Sequence, residues 1–133
     1  MAFQFSTAAR NAALDAIETA AGTAPTLTIR SGSVPANCAA ARSGTVLATL
    51  VLTSNWLADA SGGTKGIAGT WQDTAADATG TAGHFSIDQT GTCHIQGTVT
   101  ATGGGGDMTL DNTSIALGQQ VTVTAFTLTA GGA

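Results

Sequence analysis

Tyrosine is absent from these 133 residues, and aromatic side chains make up only 5% of them. A core built from large rings is therefore excluded. Much of the 43% apolar content is alanine, which buries little area per residue at about 25 cal/mol per Å². A chain of this length can fold as one domain and hide roughly two-thirds of its unfolded surface. With so thin a core, association with neighbours is the readiest source of further burial. Basic residues are equally scarce. Arg10, Arg30, Arg42 and Lys65 are the whole set, dispersed along a chain of net charge −4. Nucleic-acid binding needs clustered Lys and Arg to displace counterions from phosphates, and a membrane-surface protein needs them beside an amphipathic helix; neither arrangement is present. Charged residues total 9%, against about 25% in an ordinary soluble domain. A surface left to Thr, Ser, Asn, Gln and Gly suits a protein that packs into an assembly. Long apolar runs are also missing. The longest, residues 46–52, is interrupted by Thr49 and falls far short of the ~20 residues a membrane helix needs. Residues 1–7 lack the basic and apolar regions of a signal peptide. The expectation is a protein made and assembled in the cytoplasm, or one that leaves by lysis.

What is present begins with a helix. Ser6 is a candidate N-cap for TAARNAALDAIETAA, and Gly22 follows at the left-handed C-terminal position, so a helix is predicted over about 6–21. Arg10, Asn11, Asp15 and Glu18 share one side of it, and Ala9, Ala13, Ile17 and Ala20 share the other. The Ala-rich side permits close approach to a partner. From residue 26 the period changes to 2. Leu27 and Ile29 alternate with polar residues, residues 31–43 form a loop containing both prolines, and 46–52 reads as a central strand. Lys65, Ile67, Gly69 and Trp71 alternate with small residues before a polar loop over 73–80. The sequence HFSIDQTGTCHIQ predicts a hairpin. If Phe85, Ile87, Cys93 and Ile95 all face the core, Ile87 opposes Cys93 and Phe85 opposes Ile95. The loop is then three residues long and ends in a left-handed Gly91. Residues 103–106 are a glycine break too short to divide domains. Met108 and Leu110 mark a short strand, and Val121, Val123, Phe126 and Leu128 the last one, with a bulge near Ala125. The fold expected is all-β: a single sandwich or barrel-like domain of seven or eight short antiparallel strands over about 26–130, preceded by the helix, in one domain spanning 1–133.

Candidate chemistry is sparse. That register puts His84 and His94 on one face as diagonal neighbours, close enough to share a metal ion, with Asp88 nearby. Two histidines are too few ligands for a site, so the expectation is no metal and solvated or interface histidines. Cys38 and Cys93 allow one disulfide, with Cys93 facing inward and Cys38 in a loop that could cross it; in a reducing cytoplasm two buried thiols are the default. Asp73 and Asp77 with Gly80 only lightly resemble a calcium loop, since the alternating Asp spacing is missing. No GxSxG, phosphate-loop or CxxC motif occurs. Trp56 and Trp71 could form a ligand platform, but in a chain this poor in aromatics they belong in the core. Nothing supports an enzyme or a cofactor.

Four segments carry a resemblance: FQFSTAARNAALDAIETAAGTAPTLTIRSG, PANCAAARSGTVLATL, GTAGHFSIDQTGTCHIQGTV, and GGGGDMTLDN with VTVTAFTLTA. Together they span essentially the whole chain, which resembles small structural proteins of tailed bacteriophages and prophages. The resemblance implies a virion component and carries over no catalytic residues. It implies first a capsid decoration or cement protein, stabilising the head as a homo-oligomer, expected to be a trimer, on the major capsid protein. An alternative is a tail-tip, collar or fibre-base subunit bound to a tail protein. A third reading, from the β-sandwich pattern and two tryptophans alone, is a carbohydrate-binding module.

Overall fold

A computed structural model describes residues 3–133. One helix, α1 (Thr7–Ala21), precedes nine strands: β1 (Thr26–Ser31), β2 (Val46–Val51), β3 (Thr64–Gly66), β4 (Gln72–Asp73), β5 (Gly80–Gln89), β6 (Thr92–Ala101), β7 (Met108–Leu110), β8 (Ser114–Ile115) and β9 (Val121–Thr129). They form a single curled sheet in the order β2-β1-β5-β6-β7-β9-β3, with β4 on β9 and β8 on β5. The result is a half-barrel rather than two packed sheets. The pairing is mixed, because β6 and β7 run parallel with Val99 opposite Met108. That departs from the all-antiparallel expectation, and the glycine run is the reason. Residues 102–107 return across the outer face of β6, where a Cβ on Gly104 or Gly106 would come within 2.7 or 2.8 Å of the Thr100 side chain. Only a chain without side chains can fold back there so tightly.

Alternation along the strands fills the concave side. Leu27 and Ile29 of β1, Leu47 and Leu50 of β2, Phe85 and Ile87 of β5, and Val121 and Phe126 of β9 are buried together. An aromatic chain runs through this core, with ring centroids 6.0 Å apart for Trp56–Trp71, 5.6 Å for Trp71–Phe126 and 5.5 Å for Phe85–Phe126. The indole nitrogens are satisfied: Trp71 Nε1 donates to Trp56 O and Trp56 Nε1 to Gly22 O, the latter tying the helix end to the core. The strand β2, expected from its apolar run to be central, is instead at the sheet edge, where the 73–80 segment caps it. Thr49 N donates to Asp73 Oδ2, Thr49 Oγ1 to Asp77 Oδ2, and Asp77 N to Leu47 O. The two carboxylates read above as a weak calcium loop thus blunt an exposed strand edge.

The β5–β6 hairpin differs from its expected register. Ile87 opposes Ile95, and Phe85 opposes Gly97, not Ile95; Asp88 opposes Cys93 and Gln89 opposes Thr92. The loop is two residues, Thr90 and Gly91, both at positive φ (49° and 83°). That is the primed turn matched to strand twist. The pattern argument missed one extra residue: His94 is skipped where the register shifts, so Cys93 lies on the outer face with Asp88 instead of facing inward. In β9 the register shift passes over Thr124, adjacent to the expected position.

Candidate functional site

The outer face of β5 and β6 is covered by the loop between β1 and β2. Cys38 and Cys93 are joined by a disulfide, with Cα atoms 5.4 Å apart. Arg42 Nη2 lies 2.7 Å from Asp88 Oδ1, and Gln96 Nε2 donates to Pro35 O at 2.9 Å. Beneath this cover His84 is fully buried, paired with Arg30 on one side and Thr98 on the other. Its Nδ1 is 3.1 Å from Gly32 O; a carbonyl only accepts, so Nδ1 carries the proton. His84 Nε2 meets no polar partner. His94 is exposed at the bulge, on the far side of Ile95, Gln96 and Gly97 from Thr98, the residue paired with His84. The two histidines are therefore not the diagonal neighbours expected, and among the described residues no group of three or more metal-ligating side chains gathers. Ser86, also buried, shares a hydrogen bond with Thr28 at 2.9 Å. These groups hold a loop in place, and Cys38, Arg42 and Cys93 line an open hollow of about 490 Å³ between that loop and the β5–β6 turn.

A second feature has no counterpart in the sequence pattern. Lys65 is 1% exposed, with Nζ 2.7 Å from Asp15 Oδ1 and 3.0 Å from Glu18 Oε1. Burial opposes the ammonium charge, but the hydrogen bonds and charges of Asp15 and Glu18 outweigh it and hold Lys65 above its ordinary value. The Lys65 hydrogen bond in turn holds the Asp15 carboxyl below the usual carboxylate range. The rest of the polar side of α1 docks in the same direction: Asn11 Oδ1 accepts from Gly63 N, and Glu18 Oε2 from Leu57 N.

Because the polar stripe and Leu14 do the docking, Ala9, Ala13 and Ile17 are left on the surface. Beside them lies the segment before the helix, with Phe3 79% and Phe5 54% exposed. Phe5, Ala9, Ala13, Leu14 and Ile17 line an apolar hollow with Thr129 and Gly131 at the end of β9. In a chain with four phenylalanines, two are outside the core and next to each other. The other exposed large apolar residues, Val51 and Leu117, lie on different segments.

Next to this hollow runs a groove of about 450 Å³, floored by Phe85, Ile95, Phe126 and Leu128 and walled by Gln96, Asp107, Thr127 and Thr129. It marks the seam where β6 and β9 stay apart below the short strand β7. Trp56 and Trp71 are both buried and offer no platform for a sugar ring. No helix among the described residues is long and apolar enough to cross a membrane. No protein-family model, curated protein or solved structure matches this chain.

Proposed function

We propose that this chain is a structural component of a tailed-phage virion, in the first place a capsid decoration or cement protein that binds the head as a homo-oligomer. The observation that carries the reading is the inverted helix. Its polar stripe is spent on docking to the sheet, so Ala9, Ala13 and Ile17, together with Phe3 and Phe5, form an apolar surface in need of a partner. The low charge content supports contacts made of apolar and hydroxyl surfaces rather than ion pairs. The disulfide supports a protein that ends in an oxidising environment, as a released particle does. The likeness of the four quoted segments to phage structural proteins supplies the particle itself.

The test is retention on purified particles across a salt series, with the heat resistance of particles measured with and without the chain. Retention should depend only weakly on salt, because few charges are available to be screened. A chain that neither stays with particles nor alters their heat resistance overturns the proposal. Copy number separates a shell protein, present at every capsomer, from a tail-tip, collar or fibre-base subunit, present in a few copies.

A further inference from the structure

We infer that the N-terminal arm of one copy, residues 3–5, adds as a short strand to the seam groove of a second copy, between β6 and β9. The inference rests on the reading of this chain as self-associating and names the contact.

The groove is a vacancy in a sheet. At the level of Val99 and Phe126, β7 lies between β6 and β9 and pairs with both. Those two strands are therefore two strand spacings apart, roughly 9.6 Å. β7 ends at Met108, and the chain before it leaves over the outer face of β6, where Asp107 Oδ2 accepts from Thr98 N. Below that level no strand stands between β6 and β9 among the described residues. The backbone on both sides is turned toward the gap. Ala130 N donates to Gly63 O across the β3 ladder, so by alternation Thr127 and Thr129 direct their main-chain groups away from β3 and into the groove. Thr98 N points away from β5, so Gln96, two residues back, presents its main chain to the same side.

The arm has the matching properties. Phe3-Gln4-Phe5 lies outside any helix or strand of its own molecule and alternates apolar with polar, so as an added strand it would turn one aromatic face to the apolar floor of the groove. It carries no charge, and Asp107 is the one charged residue of the groove lining. Its length also fits, since residues 127–129 of β9 span about 10 Å, as do residues 3–5. On its own molecule the arm is held by Phe5 N donating to Gly132 O at 2.5 Å, beyond the end of β9, and this seat leaves Phe3 79% exposed. The area suffices. Phe3 and Phe5 leave on the order of 250 Å² uncovered per copy. Each arm-in-groove contact removes about that much from both sides, on the order of 500 Å². A closed dimer places two such contacts in one interface, reaching the ~1,000 Å² at which specific interfaces begin, whereas each interface of a trimer holds one contact and draws the rest of its area from the Ala9–Ile17 surface. Strand addition to an open edge is a recognised mode of association.

Light scattering of the full chain in the micromolar range should give a dimer or trimer. The F3S/F5S double variant removes side chains that lie outside the core and should be monomeric while keeping the native circular-dichroism spectrum and a cooperative melt. Thr127→Pro attacks the groove from the other side. Its N–H faces the gap, so proline removes no β3 ladder bond while blocking the added strand, and it should also give a monomer. Hydrogen exchange supplies a readout independent of mass: the amides of Gln96, Thr127 and Thr129 should be protected in the native chain and exchange at least tenfold faster in F3S/F5S. A monomeric native chain, an oligomer that survives F3S/F5S, or equal exchange at those amides in both chains overturns the inference. Particle retention is read separately, so failure of this contact and failure of the virion reading are distinguishable.

Discussion

Thr90 sits at φ 49° in the hairpin loop, a β-branched residue in a region that favours Gly, Asn and Asp. Its Oγ1 bond to Gln89 O only partly offsets the strain. Thr90→Asn should therefore raise stability by about 1 kcal/mol, and Gly91→Val, at φ 83° with open space around its Cβ, should lower it by about 1 kcal/mol or more. Chemical denaturation of the two variants checks both signs; equal midpoints would reject the two-residue turn. Lys65 offers a pH test. The Asp15 carboxyl lies below its ordinary 3.8, so its contribution is present above that value and is lost as pH falls through the lowered one. The Lys65 ammonium lies above its ordinary 10.5, so its contribution is complete below that value and is lost as pH rises through the raised one. The melting temperature should be flat between these shoulders, and Lys65→Met should remove both. Replacing the carboxylates instead, in D15N/E18Q, strands a buried ammonium and should lower the melting temperature more than Lys65→Met does. The reverse order would mean that Lys65 is solvated in the folded protein.

At the scale of elements, the loop between β1 and β2 depends on its bridge. Cys38 and Cys93 are 55 residues apart, for which the chain-entropy account gives about 4 kcal/mol of stabilisation. Reduction should lower unfolding stability by roughly 2–4 kcal/mol, with hydrogen exchange accelerating first over residues 32–44. Uniform acceleration across the sheet would show that the cover is not a separate unit. The helix was legible because its signals are local: Ser6 accepts from Ala9 N, and Gly22 takes φ 82° at the other end. The hairpin was legible as a hairpin, with Gly91 at positive φ, but its register was not. His94 looks like any other strand residue, and its bulge exchanges the face of Cys93. The docked face of α1 could not be read either. Asp15 and Lys65 are 50 residues apart in sequence, and neither a polar stripe nor a lone lysine announces that the two will meet under the sheet. The covering of His84 failed for the same reason, since burial came from a loop closing over β5 and not from the strand pattern itself.

Taken whole, the molecule is a half-barrel whose core is filled mainly by leucine, isoleucine and valine side chains and a short aromatic chain, with a helix laid on through charges and an apolar surface left outside. Where the uncovered surface lies came only from the fold, because it depends on which side of α1 docks. The parallel pairing of β6 and β7 likewise depends on a glycine run whose return path crosses Thr100, a contact that spacing alone does not reveal. The most direct measurement of the central claim is quantitative mass spectrometry of purified phage particles, read beside a particle map. The account predicts this chain in every particle, in fixed ratio to the major capsid protein, with half-barrel density on the outer shell and the Phe3–Phe5 region turned toward a neighbour. Its absence from purified particles, with the chain recovered only in the soluble lysate, would contradict the account.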